Sequence, residues 1–472
     1  MGEVIVIGGG IIGLSMAMML AEGGVNVTVV EQDGEPVPDS PALVWSRWGR
    51  RGVGQFHQPH MMLARGLRIL RDRVPEVAAH LEAAGASRFT TLMLMPPGIE
   101  DRRPRPGDSR FDTLAARRPL LEWSAARAAA RLVTVRRGVR VTGLVAGPST
   151  VDGVPHVVGV RTAAGEEIRA DLVIDASGRR SDLPGWLTEL GAKPPLETTE
   201  GAKTSYYTRF FRGDLPALPA GSLIGDFDSY SVITLPADHG HWSVSVVLAS
   251  TDRELKRVSR VDNWTTLVRA CPVQARFLDG EPEGGLRILG GTVARLRRFV
   301  IDGTPTATGV LAVGDAVATT NPHYGRGITL GLIQAAGTAD VVRAHLADPP
   351  KLAIEHDNML RDRLIPFYDE TVRTSRSRAG AVEAAINGGP VPEPAPQAVR
   401  DLIVSAFHDA DLFRVLSENV MLLSTMEELL ARPGMAERVA ASAQGRLLPL
   451  QVGPSRRELL RMLAGSHRDH GA

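Results

Sequence analysis

Apolar and polar positions change period several times along the chain, and each change marks an element. Val4–Ile7 is a short continuous apolar run, as a strand buried on both faces carries. Gly8-Gly9-Gly10-Ile11-Ile12-Gly13 follows and opens a helix that runs to about Glu22, where Gly23-Gly24 end it. Val25–Val30 is again a strand and closes on Glu31, so the first 31 residues predict a βαβ unit. Met62, Leu63, Leu67, Leu70, Val74 and Val77 recur at helical spacing over 61–84. Pro96–Gly107 carries four prolines and alternating charges and reads as a surface loop. A helix at Leu120–Arg131 precedes strands at Val133–Val145, His156–Thr162 and Leu172–Asp175.

Between about 200 and 300 the period falls to two. Ser205–Phe211, Ser231–Leu235 and Trp242–Leu248 alternate apolar with polar residues, which predicts an antiparallel sheet with one solvated face. Val310–Val313 returns to the buried-strand pattern and ends in Gly314-Asp315, and Ile328–Leu346 forms a long helix. Beyond 350 the chain reads as helical, broken by a Pro-rich linker at Gly388–Pro396. The class is α/β: a Rossmann-like unit interleaved with an antiparallel β-sheet domain, followed by a helical C-terminal region.

Composition narrows this little. A length of 472 residues allows two or three cores, and 43% hydrophobic with 23% charged residues is ordinary for a globular chain. A net charge of +1 gives no field that favours nucleic acid or an anionic membrane. The one cysteine, Cys271, excludes an internal disulfide and any multi-Cys metal site. The apolar run at Val4–Leu20 lacks a preceding basic region and is interrupted by three glycines, so neither a signal peptide nor a membrane span is expected. The cytoplasm is the default location.

The chemistry concentrates in two motifs. Gly8-x-Gly10-x-x-Gly13 lies between strand and helix, with Glu31 at the end of the second strand. Gly8 permits the turn, Gly10 lets backbone approach a pyrophosphate, and Gly13 lets helix pack on strand. The helix N-terminus offers unpaired N–H groups to phosphate, and Glu31 can accept from ribose hydroxyls. The second motif runs from Gly314-Asp315 through Asn321-Pro322-His323-Tyr324-Gly325-Arg326-Gly327. Asp315 can bind a polyol hydroxyl, Pro322 can pack on a planar ring, and the Gly325–Gly327 amides can stabilise negative charge on that ring.

Together these motifs resemble the FAD-dependent monooxygenase family with the para-hydroxybenzoate hydroxylase type of fold, over about residues 1–345. Asn321-Pro322-x-Tyr324-Gly325-x-Gly327 is similar to the branch that includes polyether and squalene-type epoxidases. That branch more often has Gln at 326; Arg326 either puts a positive charge near the flavin or points away from it. Val173-Ile-Asp175-Ala-Ser-Gly178 resembles the family's Asp-Gly segment, with Asp-Ala in place of Asp-Gly. Arg118-Pro-Leu-Leu121-Glu122 resembles the helix whose arginine reaches the FAD pyrophosphate, and the Trp48–His60 segment resembles the stretch that passes near the isoalloxazine, with Arg50 and Gln55 matching best.

The resemblance implies FAD held by Gly8, Gly10, Gly13, Glu31, Arg50, Gln55, Arg118, Val141, Asp315, Pro322, Gly325 and Gly327. It implies NADPH or NADH as electron donor, directly or through a flavin reductase, capture of O2 as a flavin C4a-hydroperoxide, and transfer of one oxygen atom to a hydrophobic organic substrate by epoxidation or hydroxylation. It divides the chain into an FAD-binding domain (1–95, 110–195 and 285–345), a substrate domain (96–109 and 196–284) and a helical region (346–472). His57, His60 and Arg326 are the candidates for a catalytic role; no His/Asp/Glu cluster completes a metal site around the two histidines, and His239 and His241 read as solvated turn residues. The rivals are a flavin-dependent reductase of isoprenoid double bonds, a non-catalytic flavin-binding protein and a halogenase. The halogenase class needs an N-terminal lysine, and none occurs before Lys193.

Overall fold

The computed structural model describes residues 2–448 and 451–465. Its centre is a five-stranded parallel sheet in the spatial order Val310–Ala312, Leu172–Asp175, Glu3–Ile7 (β1), Asn26–Glu31 (β2) and Thr134–Arg137. Register aligns Val6 with Val29 and with Ile174. Parallel strands are covered on both faces, which is why their sequences are continuous apolar runs. The helix Ile11–Glu22 (α1) joins β1 to β2 and is buried from Ile11 to Leu20 except for Ile12. It packs against the long helix Gly327–His345, where a Cβ on Gly331 would lie 2.7 Å from Ile12.

The second sheet has six antiparallel strands, in the order Ile224–Asp226, Tyr230–Pro236, His241–Ala249, Leu196–Arg212, Glu281–Arg298 and Ala318–Thr319. Its outer face builds a core of Tyr207, Phe211, Val244, Val246, Trp242 and Trp264. The opposite face is not solvated as the alternation predicted. Thr208, Ser243 and Ser245 on it are at most 1% exposed. The Trp45–His60 loop covers this face: Trp45 meets Phe210 edge-on at 4.8 Å, and Thr208 bonds Gln58.

Three other expectations change in detail. The segment 61–84 is two helices, Ala64–Arg73 and Pro75–Ala83, because Pro75 starts a new one. The run Val133–Val145 breaks at Gly138 (φ +74°), so Val141–Val151 belongs to a separate three-stranded antiparallel sheet. The proline-rich segment 96–107 is free of helix and strand and is anchored to the C-terminal helix Ala410–Val420, where Arg414 forks onto Asp108 at 2.8 Å and reaches the Arg103 carbonyl at 3.0 Å. The helices after 397 carry a small core of their own, Leu402, Leu412, Val415, Leu429 and Val439. No helix among the described residues is long and apolar enough to cross a membrane.

Candidate functional site

The site lies at the C-terminal ends of the parallel strands, where open α/β sheets place ligands. Gly8 has φ +106°, and a Cβ there would come 2.6 Å from the Ala176 carbonyl oxygen. A Cβ on Gly13 would come 2.0 Å from the Gly8 carbonyl, so close packing of helix on strand requires glycine. Gly10 differs: its Cβ would meet only a Glu122 oxygen, at 3.8 Å, so the backbone at the head of α1 is left approachable.

Glu31 is 4% exposed. One oxygen accepts from Gly9 N–H at 2.7 Å and from Arg50 Nη2 at 2.6 Å, and the other accepts from Asp33 N–H at 2.8 Å. Arg50 also donates to Asp33 at 3.1 Å and to the Gly9 carbonyl at 3.1 Å. Burial opposes its charge, but Glu122, Glu31 and Asp33 outweigh burial and raise its pKa. Arg50 is therefore committed to the acids at and just after the end of β2.

Glu122 was not singled out from the sequence, yet it joins both arginines to α1. It is fully buried, accepts from Ile11 N–H at 2.9 Å, and lies 3.7 Å from Arg50 Nη1. Its other oxygen accepts from Arg118 Nε at 2.7 Å, an i,i+4 pair on the helix Arg118–Ala129. That spacing was the available signal. Arg118 Nη1 lies 3.2 Å from His60 Nε2, and His60 Nδ1 lies 2.9 Å from the Gln58 carbonyl. Arginine only donates, so Nε2 accepts and Nδ1 carries the proton. Burial and then Arg118 push the His60 pKa down to about 3. His60 is a neutral orienting group.

His57 packs edge-on between Trp45 and Phe56, each 5.1 Å away, and burial with Arg287 lowers its pKa. Gln55 stays half-buried, and its main-chain carbonyl accepts from Gln58 N–H at 3.0 Å. Val141 opens the strand Val141–Val151, two residues after Val139, whose N–H bonds the Glu31 carbonyl at 3.0 Å; its side chain belongs to a buried apolar cluster that also holds Leu144, Val157 and Val160.

The second motif meets the first. Gly314 (φ +64°) lies against α1, with a Cβ position 3.4 Å from Ile12, and its N–H bonds Gln334 at 3.0 Å. The Asp315 carboxylate accepts no hydrogen bond among the described residues, while Arg179, Arg118 and Arg295 act on its charge. Burial outweighs them and raises its pKa. Pro322–Tyr324 is a single 3-10 turn held by Asn321, whose side chain accepts from His323 N–H at 3.2 Å and from Tyr206 OH at 2.5 Å. A Cβ on Gly325 (φ +63°) or Gly327 would meet nothing within 4 Å, so the N-terminus of the long helix is open. Arg326 is turned the other way: its Nη1 bonds Thr371 at 2.9 Å and Glu370 at 3.3 Å on the helix Ile365–Asn387. It fastens the loop to the C-terminal region.

Other polar groups settle into structural roles. Asp175 is buried, accepts from Ser177 N–H at 2.9 Å and Ser181 OH at 2.5 Å, and so pins the turn after its strand. Arg117, beside the anticipated Arg118, grips buried Asp238 at 2.7 Å and Glu283 at 3.0 Å and lies over the Trp45 ring at 4.6 Å. This staples the parallel-sheet domain to a hairpin of the second sheet. His241, expected in solvent, is buried in the same cluster, 3.4 Å from Glu283. Among the described residues no His, Cys, Asp or Glu cluster could hold a metal ion.

Three features of this arrangement fit a dinucleotide: an approachable backbone at Gly10 with an open N-terminus on the long helix, a buried acid at the end of β2, and a carboxylate at Asp315 that accepts no hydrogen bond among the described residues and feels the charge of three arginines. Residues 3–40 match the family model described as FAD dependent oxidoreductase. Protein Rv3254 of Mycobacterium tuberculosis is 28% identical over 367 residues, covering 72% of this chain and 73% of that protein. Among solved structures, PqsL, a probable FAD-dependent monooxygenase from Pseudomonas aeruginosa, superposes with a TM-score of 0.58 at 18% identity over 81% of this chain and 96% of its own. The flavin-dependent brominase Bmp2 gives 0.55 at 18% over 99% and 98%, and OxyS anhydrotetracycline hydroxylase from Streptomyces rimosus gives 0.55 at 20% over 90% and 76%. The chain has the mixed α/β fold of the FAD-dependent monooxygenase type, with its antiparallel sheet and helical C-terminal region.

Proposed function

We propose that the protein is an FAD-dependent monooxygenase that inserts one oxygen atom from O2 into a hydrophobic organic substrate, with NADPH or NADH as electron source, directly or through a reductase. The observation that supports this is the close approach of Gly314 to Ile12, which sets the segment carrying Asp315 beside the helix that the glycine fingerprint opens. In this reading Gly8, Gly10 and Gly13 admit the pyrophosphate, Glu31 accepts from the ribose, and Arg118 is oriented by Glu122 and His60 toward phosphate. Asp315 would take a polyol hydroxyl, and Pro322, Gly325 and Gly327 would face the ring. The bound flavin supplies the redox and oxygen chemistry; the protein binds it, orients it and excludes water.

The substrate would lie near the inner face of the second sheet. Tyr206, Ile233 and Val247 form a small apolar cluster there, extended by Ile224, Leu235 and Leu289. No lysine precedes Lys193, which favours oxygenation over the halogenation carried out by Bmp2. The resemblance to the epoxidase branch rests on the Asn321–Gly327 loop and makes an alkene the first substrate class to try. The test is the visible spectrum of the purified protein, followed by anaerobic reduction with NADPH and NADH and then oxygen uptake with candidate alkenes and arenes. A flavin spectrum with substrate-dependent oxygen uptake supports the reading. A flavin that reduces an isoprenoid double bond without consuming oxygen replaces it with the reductase, and a protein that binds no flavin removes it.

A further inference from the structure

We infer that Arg137 is a ligand of the cofactor's adenosine half, an assignment that rests on the FAD reading above. Arg137 ends the edge strand Thr134–Arg137 and stands beside Glu31 in the parallel register, two positions after the Val29–Val135 pair. Residues two apart share a face of a strand. Val29 and Val135 both pack in the core that holds α1, so Glu31 and Arg137 lie on the α1 side of the sheet, at its ligand-binding end. Arg136, on the opposite side, is spent on Glu166 through bonds of 3.0 and 2.7 Å.

Arg137 has no such partner. Its Nη1 is buried without an acceptor, and its guanidinium makes no hydrogen bond or ion pair among the described residues. Glu31, Asp33 and Glu122 all act on its charge, but each is already held: Glu31 by Gly9, Asp33 and Arg50, Asp33 by Arg50 and Gly52, and Glu122 by Ile11 and Arg118. A buried donor left unpaired is costly, so this position calls for an acceptor that the chain does not supply. Adenosine supplies several. Its ring nitrogens and ribose oxygens accept hydrogen bonds, and its flat base suits a planar guanidinium. The division of labour with Glu31 is complementary: its carboxylate, with an acceptor site left beyond Gly9, Asp33 and Arg50, can accept from a ribose hydroxyl, and a guanidinium donates to the ribose oxygens or ring nitrogens.

The test is titration of deflavinated protein with FAD, ADP and inorganic pyrophosphate, for the wild type, Arg137→Met, Arg137→Lys and the neighbouring control Arg136→Met. Loss of a charged hydrogen bond should weaken FAD and ADP by the same factor, roughly ten- to a hundredfold in Arg137→Met, with pyrophosphate unchanged. Arg137→Lys should recover part of the loss, and Arg136→Met should bind as the wild type does. Wild-type affinity for FAD and ADP in Arg137→Met overturns the assignment. So does an equal loss for pyrophosphate, which would move Arg137 to the phosphates. If Arg137→Met does not fold by circular dichroism, Arg137→Lys decides alone: it keeps charge without the planar fork, and unaltered FAD and ADP affinity in it overturns the assignment. A wild-type protein that binds no FAD refutes the FAD reading instead, and is recognised because no variant is then needed.

Discussion

Glu122→Leu is the substitution that most directly tests the account of the site. The wild-type carboxylate is fully buried and makes three kinds of contact: the Ile11 N–H at the head of α1, Arg118, and Arg50 at a longer distance. Losing an acceptor at a helix N-terminus costs about 1 kcal/mol. The larger cost falls on the arginines. Arg50 keeps Glu31 and Asp33, but Arg118 keeps only one hydrogen-bond partner, the neutral His60, and the more distant charge of Asp315. Removing one partner of a buried pair costs about 3–5 kcal/mol. The Arg118 side chain is 13% exposed and regains some water, which places the sum at about 3–4 kcal/mol. Urea unfolding of the apoprotein, followed by tryptophan fluorescence, measures it; Trp48 and Trp123 lie in the core that contains α1. The midpoint should fall with the slope unchanged. Removing both charges, in Glu122→Leu with Arg118→Met, should restore about half the loss, because an apolar pair avoids the desolvation of a lone cation. A single variant within about 0.5 kcal/mol of wild type would falsify the claim that Glu122 organises this end of the site, as would a double variant less stable than the single.

Gly10→Val and Asp315→Ala should each yield folded protein without yellow colour; a fully flavinated variant at either position shows that the residue does not hold the cofactor. His60 binds a proton only below about 3 in the fold but near 6.5 when unfolded, so its share of stability is whole above about pH 6.5 and is lost as pH falls toward 3. His60→Asn, which keeps an acceptor for Arg118, should flatten that slope in urea midpoints taken between pH 6 and 4, and an unchanged slope contradicts the buried neutral histidine. Arg326→Met should cost about 1–2 kcal/mol of stability, since Glu370 keeps Asn419 and the Met426 N–H, and should leave the flavin reduction rate within about twofold. A tenfold slower reduction at unchanged melting temperature would instead make Arg326 part of the chemistry.

Local signals with a steric cause survived into the structure. A Cβ at Gly8 or Gly13 would come within 2.6 or 2.0 Å of a carbonyl oxygen, so the fingerprint is a statement about backbone that can be made from the sequence. The buried strands were legible because parallel strands carry unbroken apolar runs. Less of the site's polar wiring was legible. Arg50 sits on Glu31 and Arg326 on Glu370, and no local pattern says which of 50 arginines will pair with which acid. The run Val133–Val145 was not legible as two strands, because the positive φ at Gly138 moves the chain to another sheet and valines on both sides of it conceal the break. Glu122 carried no local signal beyond its i,i+4 spacing from Arg118, and only the approach of α1 makes it central.

The polar face of the second sheet is the instructive failure. Alternation was read as one face in water, yet Thr208 and Ser245 bond each other at 2.8 Å in the interior, and Thr208 bonds Gln58 at 3.2 Å. Gln58 then receives His60, His60 receives Arg118, Arg118 pairs with Glu122, and Glu122 holds the Ile11 N–H. Each member of that sequence is costly to leave unpaired in the interior, so none can leave without stranding the next. The head of α1 and the floor of the proposed substrate site are thus joined by hydrogen bonds through one loop, and the Arg117–Asp238 pair joins the same two domains a second time. An apolar seam would tolerate sliding between the domains. A polar one holds a single register, which is what a site must have if the ring of a bound cofactor is to meet substrate at a fixed place.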